Sequence, residues 1–396
     1  MHLSQKQLFL QHVAQTSPAP LALEIVSASG IYLNDVNGKQ YIDLISGISV
    51  SNIGHCHPEV VEAIKKQAET FMHLMVYGEY VHSPQVQLAK ALTDLLPVNL
   101  NSVYLVNSGT EATEGALKLA KRFTGRSEII SFKNAYHGST HGALSVMGSE
   151  EFKTSFRPLL PDVKIIEFNN IDNLQNITNK TACVIIEPIQ GEAGIIAASQ
   201  IFLQKLRERC NETNTLLIFD EIQTGFGRTG SLFAFEQYQI IPDILLLAKG
   251  MGGGMPIGAF ISSKEIMDSL TNNPVLGHIT TFGGHPVCCA AALANLQVIT
   301  KNKLYLRAKE IEKIILQQFK HPKIKEVRVL GALAAIDFLD ESLNMKTISK
   351  CIEAGIITDW FLFNTQSMRI APPLIITDKE LSKACDVILS CINDID

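Results

Sequence analysis

The sequence predicts an α/β fold in which helices cover a mainly parallel β-sheet. Between residues 103 and 262, short apolar segments alternate with segments that carry apolar residues at helical spacing. The apolar segments are continuous rather than alternating with polar residues, which is typical of strands buried on both faces. Polar or glycine-rich segments follow several of them, and ligands of such sheets bind beyond the carboxyl ends of the strands. The sequence therefore predicts both the fold class and the edge of the sheet where a site should lie.

The elements of this sheet follow one another in a regular order. The predicted strands are residues 103–107, 128–132, 163–168, 182–187, 215–220 and 243–248. The predicted helices between them include residues 111–124 and 199–213. This succession is typical of an α/β domain.

The two ends of the chain differ from this central part. Two apolar segments, 31–36 and 40–44, flank Asn37-Gly38, a dipeptide that favours a tight hairpin turn. The C-terminal part combines a long helical segment with predicted strands near 326–339 and 367–371. We therefore expect three parts: an N-terminal segment at 1–55, a large α/β domain at 56–290, and a small α+β domain at 291–396 with which the N-terminal segment packs.

The composition is that of an ordinary globular protein. The 396 residues are 46% hydrophobic and 18% charged, with a formal net charge of −5. These values argue against a disordered chain and against nucleic-acid binding. No run of about eighteen apolar residues is present, so no membrane span is predicted. The N-terminus lacks the cationic start and apolar core of a secretory signal, so we expect a cytoplasmic protein.

The eight cysteines favour reduced thiols over disulfides or a metal site. They are scattered along the chain and form no Cys-x-x-Cys pair. Cys56 lies between His55 and His57, but no second ligand cluster follows at zinc-site spacing. We therefore expect no metal ion.

Lys249 and Asp220 give the strongest indication of function. Each follows an apolar segment predicted to be a buried strand, and burying either charge alone is costly. Pyridoxal 5'-phosphate (PLP) has an aldehyde that can form a Schiff base with a lysine, and a ring nitrogen that can pair with an aspartate. A lysine at a strand end is otherwise a solvated surface group, and an aspartate there can be a helix cap. The pair predicts PLP, with Lys249 also moving a proton once it is released and neutral.

A phosphate site is predicted between the strand at 103–107 and the helix after it. Ser108, Gly109 and Thr110 stand where free backbone amides and hydroxyls can bind a phosphate. Taken alone, they would more simply cap the helix. Together with Lys249 and Asp220 they favour the phosphate of PLP.

Two further residues could contact the ring of the cofactor. Tyr136 could stack on one face of it, although a tyrosine at such a position is more often part of the core. Gln223, three residues after Asp220, could reach the phenolic oxygen of the ring.

Taken jointly, these segments resemble the class-III (subgroup II) PLP-dependent aminotransferases, with a pattern closest to the acetylornithine/ornithine aminotransferases. The matching segments run nearly end to end: 41–50, 54–58, 107–112, 136–138, 187–192, 217–230, 247–250, 281–284 and 369–373. A single segment such as Asn-Ser-Gly-Thr would be a weak signal, whereas the set is highly specific.

The resemblance implies fold type I of the aspartate aminotransferase superfamily and a homodimer with active sites at the subunit interface. It implies that Lys249 forms the Schiff base, that Asp220 pairs with the ring nitrogen, and that Tyr136 stacks on the ring. Thr281 matches the threonine that contacts the phosphate of the neighbouring subunit's cofactor. The cofactor site it implies comprises Ser108, Gly109, Thr110, Tyr136, His137, Glu187, Asp220, Gln223, Lys249 and Thr281.

The resemblance also implies how substrates are held. Arg369 matches the arginine that binds the α-carboxylate of an amino-acid substrate, for which a planar guanidinium is suited. Glu192 matches the glutamate that neutralises this arginine when a substrate without that carboxylate enters.

Two features depart from the acetylornithine-type pattern. The residue after Tyr-His-Gly is usually an arginine that helps to hold a second substrate carboxylate, and here it is Ser139, which cannot supply a charged fork. The segment 73–84, which includes Tyr77, is longer than usual. It could shape a different substrate pocket or pack at the dimer interface.

The sequence thus predicts an aminotransferase that moves an amino group from an amino acid such as glutamate to a keto acid or aldehyde by a ping-pong Schiff-base mechanism. The acetylornithine, ornithine and ω-amino-acid substrate types all remain open, as do 2-oxoglutarate and pyruvate as acceptors. The alternative within the same fold is an aminomutase of the glutamate-semialdehyde type, although such sequences usually lack the Thr-Phe-Gly-Gly found at 281–284. A non-catalytic protein would leave Lys249 and its partners unexplained.

Overall fold

The computed structural model describes residues 4–395, so the ends of the predicted terminal segments, 1–3 and 396, lie outside it. The strands are β1 (Ile25–Ser29), β2 (Tyr32–Asp35), β3 (Gln40–Asp43), β4 (Ser102–Val106), β5 (Glu128–Phe132), β6 (Val163–Ile166), β7 (Thr181–Ile186), β8 (Ile189–Gln190), β9 (Ile196–Ala197), β10 (Leu216–Asp220), β11 (Ile244–Leu247), β12 (Gly258–Ser262), β13 (Ile324–Leu330), β14 (Leu333–Phe338), β15 (Ile356–Ile357), β16 (Asp359–Phe361) and β17 (Asn364–Ile370).

The helices are α1 (Gln5–His12), α2 (Ser46–Ser49), α3 (Pro58–Thr70), α4 (Ser83–Thr93), α5 (Gly109–Thr124), α6 (His141–Ser145), α7 (Gln200–Thr213), α8 (Phe235–Tyr238), α9 (Lys264–Asp268), α10 (Pro286–Lys301), α11 (Leu304–Gln318), α12 (Glu341–Glu353) and α13 (Asp378–Asn393). The 3-10 turns are Thr154–Phe156, Ile171–Asn176 and Lys249–Met251. The element α2 is a single turn in which every residue has a left-handed backbone.

The central sheet has the strand order β4-β12-β11-β10-β7-β5-β6. All neighbouring pairs are parallel except those of β12, which is antiparallel to both β11 and β4. The strands β7, β10 and β11 are buried along their whole length, as expected for strands covered on both faces. The six predicted strands and the α/β fold class are confirmed. The strand β12 was not predicted, because it follows directly on the glycine-rich segment 250–256.

The helix α5 shows why the segments between the strands fold as they do. Ser108 caps its start by accepting a hydrogen bond from the Glu111 amide, and Gly125 ends it in a left-handed conformation. Its buried face consists of small and apolar residues such as Ala116 and Leu119, and it packs against β11 and β12. The first turn of α5 is thereby fixed at one edge of the sheet.

Two smaller sheets join the ends of the chain. The C-terminal sheet has the order β13-β14-β17-β16, and the predicted N-terminal hairpin forms as β2–β3, with Tyr32 opposite Ile42. The strand β15 pairs with β3, and the hydrophobic core of this region contains side chains from both ends of the chain. Residues from the N-terminal segment therefore lie against the C-terminal part of the chain.

The direction of the strands decides where a site can form. Because β4 and β11 are both antiparallel to β12, they run in the same direction as the remaining strands, and the carboxyl ends of six strands meet at one edge. The segments that follow them begin at Asn107, Lys133, Glu167, Glu187, Glu221 and Ala248. Within residues 4–395, no helix has the length and apolar character needed to cross a bilayer.

Candidate active site

A cavity of about 530 Å³ lies at this edge of the central sheet. Most of the predicted site residues line it, namely Ser108, Gly109, Thr110, Tyr136, His137, Ser139, Glu187, Glu192, Asp220, Gln223 and Lys249. The structure therefore brings together side chains that are up to 141 positions apart, from Ser108 to Lys249.

Lys249 lies at the wall of the cavity, two residues beyond β11. It begins the 3-10 turn Lys249–Met251 and has a left-handed backbone, with φ of 43°, which is uncommon for a residue other than glycine. Burial lowers the pKa of its amine, opposed by the negative charge of Glu192 and assisted by the positive charge of Arg369. The amine is therefore biased towards its neutral, nucleophilic form.

Asp220, at the end of β10, is held by two hydrogen bonds. Its Oδ2 lies 2.7 Å from Nδ1 of His137, and its Oδ1 accepts a hydrogen bond of 3.0 Å from the Ile222 amide. Asp220 and His137 are both buried. The carboxylate is thus fixed in position at the cavity and can pair with a cationic or protonated group of a ligand.

The N-terminus of α5 opens into the same cavity. The Oγ1 atoms of Thr110 and Thr140 lie 2.7 Å apart, and Thr140 also donates to the carboxylate of Glu114 in the next turn of the helix. A Cβ atom at Gly109 would lie 2.9 Å from the side chain of Ile222, so only glycine fits there without a shift. Free amides, hydroxyls and the positive end of a sixteen-residue helix form a site suited to a phosphate.

Tyr136 is held at the cavity by its backbone and by its hydroxyl. Its amide donates to Oε1 of Glu187 at 3.0 Å, and its hydroxyl lies 3.2 Å from Oγ of Ser139. The other oxygen of Glu187 accepts from the Gly191 amide at 3.0 Å. Burial raises the pKa of Glu187 to about 7, against the lowering effect of His137.

Arg369 and Glu192 form a buried bidentate pair. Nη1 and Nη2 of Arg369 donate to the two oxygens of Glu192 at 3.0 and 2.8 Å. Burial alone would raise the pKa of Glu192, but the charges of Arg369 and Lys249 outweigh it and hold the pKa below its ordinary value. Glu192 lines the cavity, whereas Arg369 does not. A carboxylate that entered the cavity could therefore replace Glu192 on the guanidinium.

The residues of the cavity fit PLP. Nε2 of Gln223 is buried and has no hydrogen-bond partner among the described residues, so a donor is free to meet an oxygen of a ligand. A phosphate fits the start of α5, a ring nitrogen fits Asp220, and an aldehyde fits the amine of Lys249. These three groups are those that PLP carries.

Two predicted residues lie outside this cavity. Thr281 is exposed, and Tyr77 lines a second cavity of about 530 Å³ together with Tyr104, His278 and Thr280. The two cavities share no lining residue. Neither Thr281 nor Tyr77 therefore contributes to the Lys249 cavity of its own chain.

Some contacts of the site were not predicted from the sequence. The contact between His137 and Asp220 is one, although a histidine next to a predicted ring-stacking tyrosine was a signal for it. Asp359, whose Oδ1 lies 3.1 Å from Nε of Arg369, is another. The segment at 359–361 carried no strand pattern, so nothing in the sequence singled Asp359 out.

One of the two histidines beside Cys56 has a carboxylate partner. His55 pairs with Asp43 at 2.8 Å, and Cys56 itself is exposed. Over the range 4–395 there is no group of three or more His, Cys, Asp or Glu side chains placed to hold a metal ion.

Comparison with known proteins agrees with this geometry. A sequence model of the family described as aminotransferase class-III matches residues 13–392. The acetylornithine aminotransferase of Methanocaldococcus jannaschii is 40% identical, over 95% of this chain and 94% of the relative. That of Archaeoglobus fulgidus is 38% identical, over 96% of this chain and 98% of the relative.

Solved structures of similar fold are also transaminases. An ornithine aminotransferase from Toxoplasma gondii, described with partial occupancy of PLP at its active site, superposes with a TM-score of 0.89 and 31% identity, over 97% of this chain and 92% of that one. An (S)-enantioselective omega-transaminase from Thermomicrobium roseum superposes with a TM-score of 0.91 and 27% identity, over 98% and 97% of the two chains.

Proposed function

Because the chain belongs to the class-III aminotransferase family and is a PLP-dependent enzyme of fold type I, we propose a substrate class and a role for each residue of the cavity. The proposed reaction transfers the amino group of glutamate to the aldehyde that corresponds to acetylornithine or ornithine, or runs in the reverse direction. The observation that carries this proposal is the buried Arg369–Glu192 pair beside the cavity of Lys249. Arg369 can either pair with Glu192 or be free to bind a substrate carboxylate. This suits an enzyme with two substrates, of which only one has a carboxylate next to its reacting amine.

When bound, PLP supplies an electron-withdrawing ring that stabilises negative charge on the carbon that bears the amino group. The proposed role of Lys249 is to hold the cofactor covalently through Nζ and, once displaced by the substrate amine, to move a proton at that carbon. Its lowered pKa supports this role, because a neutral amine can accept a proton.

Asp220 is proposed to pair with the ring nitrogen and keep it protonated. His137 acts through Asp220, since its Nδ1 lies 2.7 Å from the carboxylate and fixes its orientation. Gln223 is proposed to donate from Nε2 to the phenolic oxygen of the ring. The burial of these three side chains excludes water and strengthens each contact.

Ser108, Gly109 and Thr110 are proposed to bind the phosphate through hydroxyls and backbone amides at the start of α5. Tyr136 is proposed to lie against one face of the ring. Glu187 supports this arrangement, because its carboxylate accepts the Tyr136 amide at 3.0 Å.

Arg369 is proposed to bind the α-carboxylate of glutamate or of the product keto acid. Glu192 is proposed to pair with Arg369 when the substrate presents a terminal amine that has no carboxylate beside it. Ser139 makes the recognition of a second carboxylate weaker than an arginine would, because it contributes no charge.

We propose a homodimer in which each subunit completes the other's site. Thr281 would contact the phosphate at the partner's site, and Tyr77 would lie at the interface beside it. Large apolar side chains near Thr281 are exposed on the single chain, namely Val275, Leu276, Ile279 and Phe282, and such a cluster supports an interface. The mass of the purified protein in light scattering tests this: we expect that of two chains, and that of one chain would contradict it.

We also propose the domain division at 1–55, 56–290 and 291–396, with α10 (Pro286–Lys301) bridging the last boundary. The pairing of β3 with β15 supports the assignment of the N-terminal segment to the small domain.

A cytoplasmic location is proposed on the basis of the eight cysteines, all of which are free thiols and seven of which are buried.

The proposed substrate class is tested by half-reactions. Purified holoenzyme is mixed with single amino donors, including L-glutamate, N-acetyl-L-ornithine, L-ornithine and 4-aminobutyrate, and the cofactor absorbance is followed. We expect an absorbance change with L-glutamate and with at least one terminal amine, reversed by the matching oxo-acid or aldehyde. An absence of change with every donor would contradict the proposal.

The aminomutase alternative is not favoured, since the relatives and structures described above are aminotransferases or transaminases. It predicts product formation from one substrate without any keto-acid acceptor, which chromatographic analysis of the products would detect.

A further inference from the structure

Arg369 has two carboxylate neighbours rather than one. Glu192 occupies both terminal nitrogens of the guanidinium, at 3.0 and 2.8 Å. Asp359 stands directly opposite Arg369 in the antiparallel pairing of β16 with β17, and its Oδ1 lies 3.1 Å from Nε. The Phe361 ring lies against the guanidinium, with 4.6 Å between its centroid and Cζ. The arginine is thus enclosed, and Asp359 contacts the one nitrogen that Glu192 leaves free.

The contact of Asp359 with Arg369 is incomplete in the present arrangement. Although Nε and Oδ1 are at ion-pair distance, neither atom has an aligned hydrogen bond among the residues of the described range. Both atoms therefore retain bonding capacity. A small rotation of either side chain would turn this charge contact into a charge-assisted hydrogen bond.

A substrate carboxylate can reach Arg369 only if Glu192 first leaves the two terminal nitrogens. During this exchange Arg369, which is 2% exposed, would lose its bidentate partner without gaining water. A buried guanidinium without a counter-charge is strongly disfavoured. A second carboxylate that already lies beside Nε would lower the free energy of that state.

The charges of the site indicate that the two carboxylates compete for one cation. Burial raises the pKa of Asp359 to about 6, with Arg369 lowering it and the charges of Glu192 and Asp43 raising it further. The pKa of Glu192, in contrast, lies below its ordinary value. Departure of Glu192 would relieve Asp359 of a repulsive neighbour and leave it as the carboxylate nearest to Arg369.

Resting on the proposed use of Arg369, we propose that Asp359 is a positioning residue that keeps Arg369 paired while Glu192 gives way to a substrate carboxylate. Asp359 thereby sets how readily the site accepts donors that carry a carboxylate beside the reacting amine. It contacts neither the substrate nor the cofactor in this role and acts through Arg369.

The test is a double-mutant cycle in the L-glutamate half-reaction. Wild type, Asp359→Asn, Glu192→Ala and the double variant, each loaded with PLP, are mixed with L-glutamate, and the second-order rate constant is taken from the cofactor absorbance. Asp378→Asn is the matched control, because it removes an exposed carboxylate that pairs with Arg307 on the surface. Thermal unfolding of each variant is recorded in parallel.

In the wild-type background we expect Asp359→Asn to lower the rate constant five- to tenfold, and Asp378→Asn to change it less than twofold. In the Glu192→Ala background no exchange is needed, and Asp359 only competes with the substrate carboxylate. There we expect Asp359→Asn to leave the rate constant unchanged or to raise it.

A purely structural role would lower the rate constant in both backgrounds, and that result would overturn the proposal, as would an unchanged rate constant in the wild-type background. The proposed function is tested separately with the Arg369→Lys variant. If that variant reacts with L-glutamate as the wild type does, Arg369 does not bind the α-carboxylate, whatever the cycle shows.

Discussion

His137 and Asp220 contact each other through a 2.7 Å approach of Nδ1 to Oδ2, and both side chains are buried. Asp220 ends β10 and His137 lies in the segment after β5, two strands that are separated in the sheet by β7. The contact spans 83 positions of the chain and leaves Nε2 of His137 buried without a partner in the described part of the protein. The carboxylate that we propose pairs with the cofactor is therefore oriented by a residue from a different part of the chain.

This relationship predicts graded effects of substitution. We expect Asp220→Ala to lower the rate of the L-glutamate half-reaction by about 100- to 1000-fold, the range typical of removing a fixed group that stabilises developing charge. His137→Ala should cause a smaller loss, because Asp220 remains but is less well oriented. Stopped-flow absorbance measures both rates. An equal loss in the two variants would show that His137 does more than orient Asp220.

The glycine after His137 is expected to be essential for cofactor binding. Gly138 has φ of 122°, and a Cβ atom there would lie 2.3 Å from Oγ1 of Thr110 in the proposed phosphate site. We expect Gly138→Ala to weaken PLP binding to the apoenzyme at least tenfold, as measured by fluorescence titration.

Gly38→Ala is the matched control for Gly138→Ala. Gly38 also has a left-handed backbone, with φ of 80°, but nothing lies within 4 Å of an added Cβ atom. Gly38→Ala should lose about 1–2 kcal/mol of unfolding free energy from backbone strain, and Gly138→Ala should lose more, because its Cβ atom also overlaps Thr110. Equal PLP affinity in the two variants would contradict the role of the Gly138–Thr110 contact.

The lowered pKa of Lys249 predicts the pH dependence of cofactor capture. Only the neutral amine attacks the PLP aldehyde, so a pKa below the ordinary lysine value moves the rise of the capture rate to lower pH. Glu192 opposes this shift through its negative charge. We therefore expect Glu192→Gln to move the profile to still lower pH, as measured by the rate of absorbance change when apoenzyme is mixed with PLP. A shift to higher pH would show that Glu192 does not act on Lys249 through its charge.

Ser139 predicts a change in acceptor preference. Ser139→Arg would place a guanidinium beside Tyr136, whose hydroxyl now lies 3.2 Å from Ser139. We expect this variant to lower the KM for 2-oxoglutarate more than the KM for pyruvate, since only the former has a second carboxylate. Steady-state assays with both acceptors measure the ratio. An unchanged KM for 2-oxoglutarate would mean that position 139 does not contact the distal carboxylate.

Much of the central sheet could be predicted from the sequence, because most of its strands are continuous apolar segments and β7, β10 and β11 are buried along their whole length. The strand β12 could not, since a five-residue strand after a glycine-rich segment resembles part of a loop. The hairpin β2–β3 was predictable from Asn37-Gly38, whose turn chemistry is local.

The site was predictable to the extent that it depends on strand ends. Lys249 and Asp220 could be identified because charges follow buried strands. The contact of His137 with Asp220 depends on the strand order β10-β7-β5, which spacing along the chain does not reveal. The contact of Asp359 with Arg369 depends on the register of β16 with β17, two strands whose pairing is set by tertiary packing.

The most direct test of the enzyme's chemistry is to locate its covalent bond to PLP. The purified holoenzyme is reduced with borohydride and digested, and the modified peptide is sequenced by mass spectrometry, with Lys249→Ala treated in the same way. We expect the pyridoxyl group on Nζ of Lys249 in the wild type and no modified lysine at the site in the variant. A pyridoxyl group on another lysine, with Lys249 unmodified, would contradict the central role assigned to Lys249.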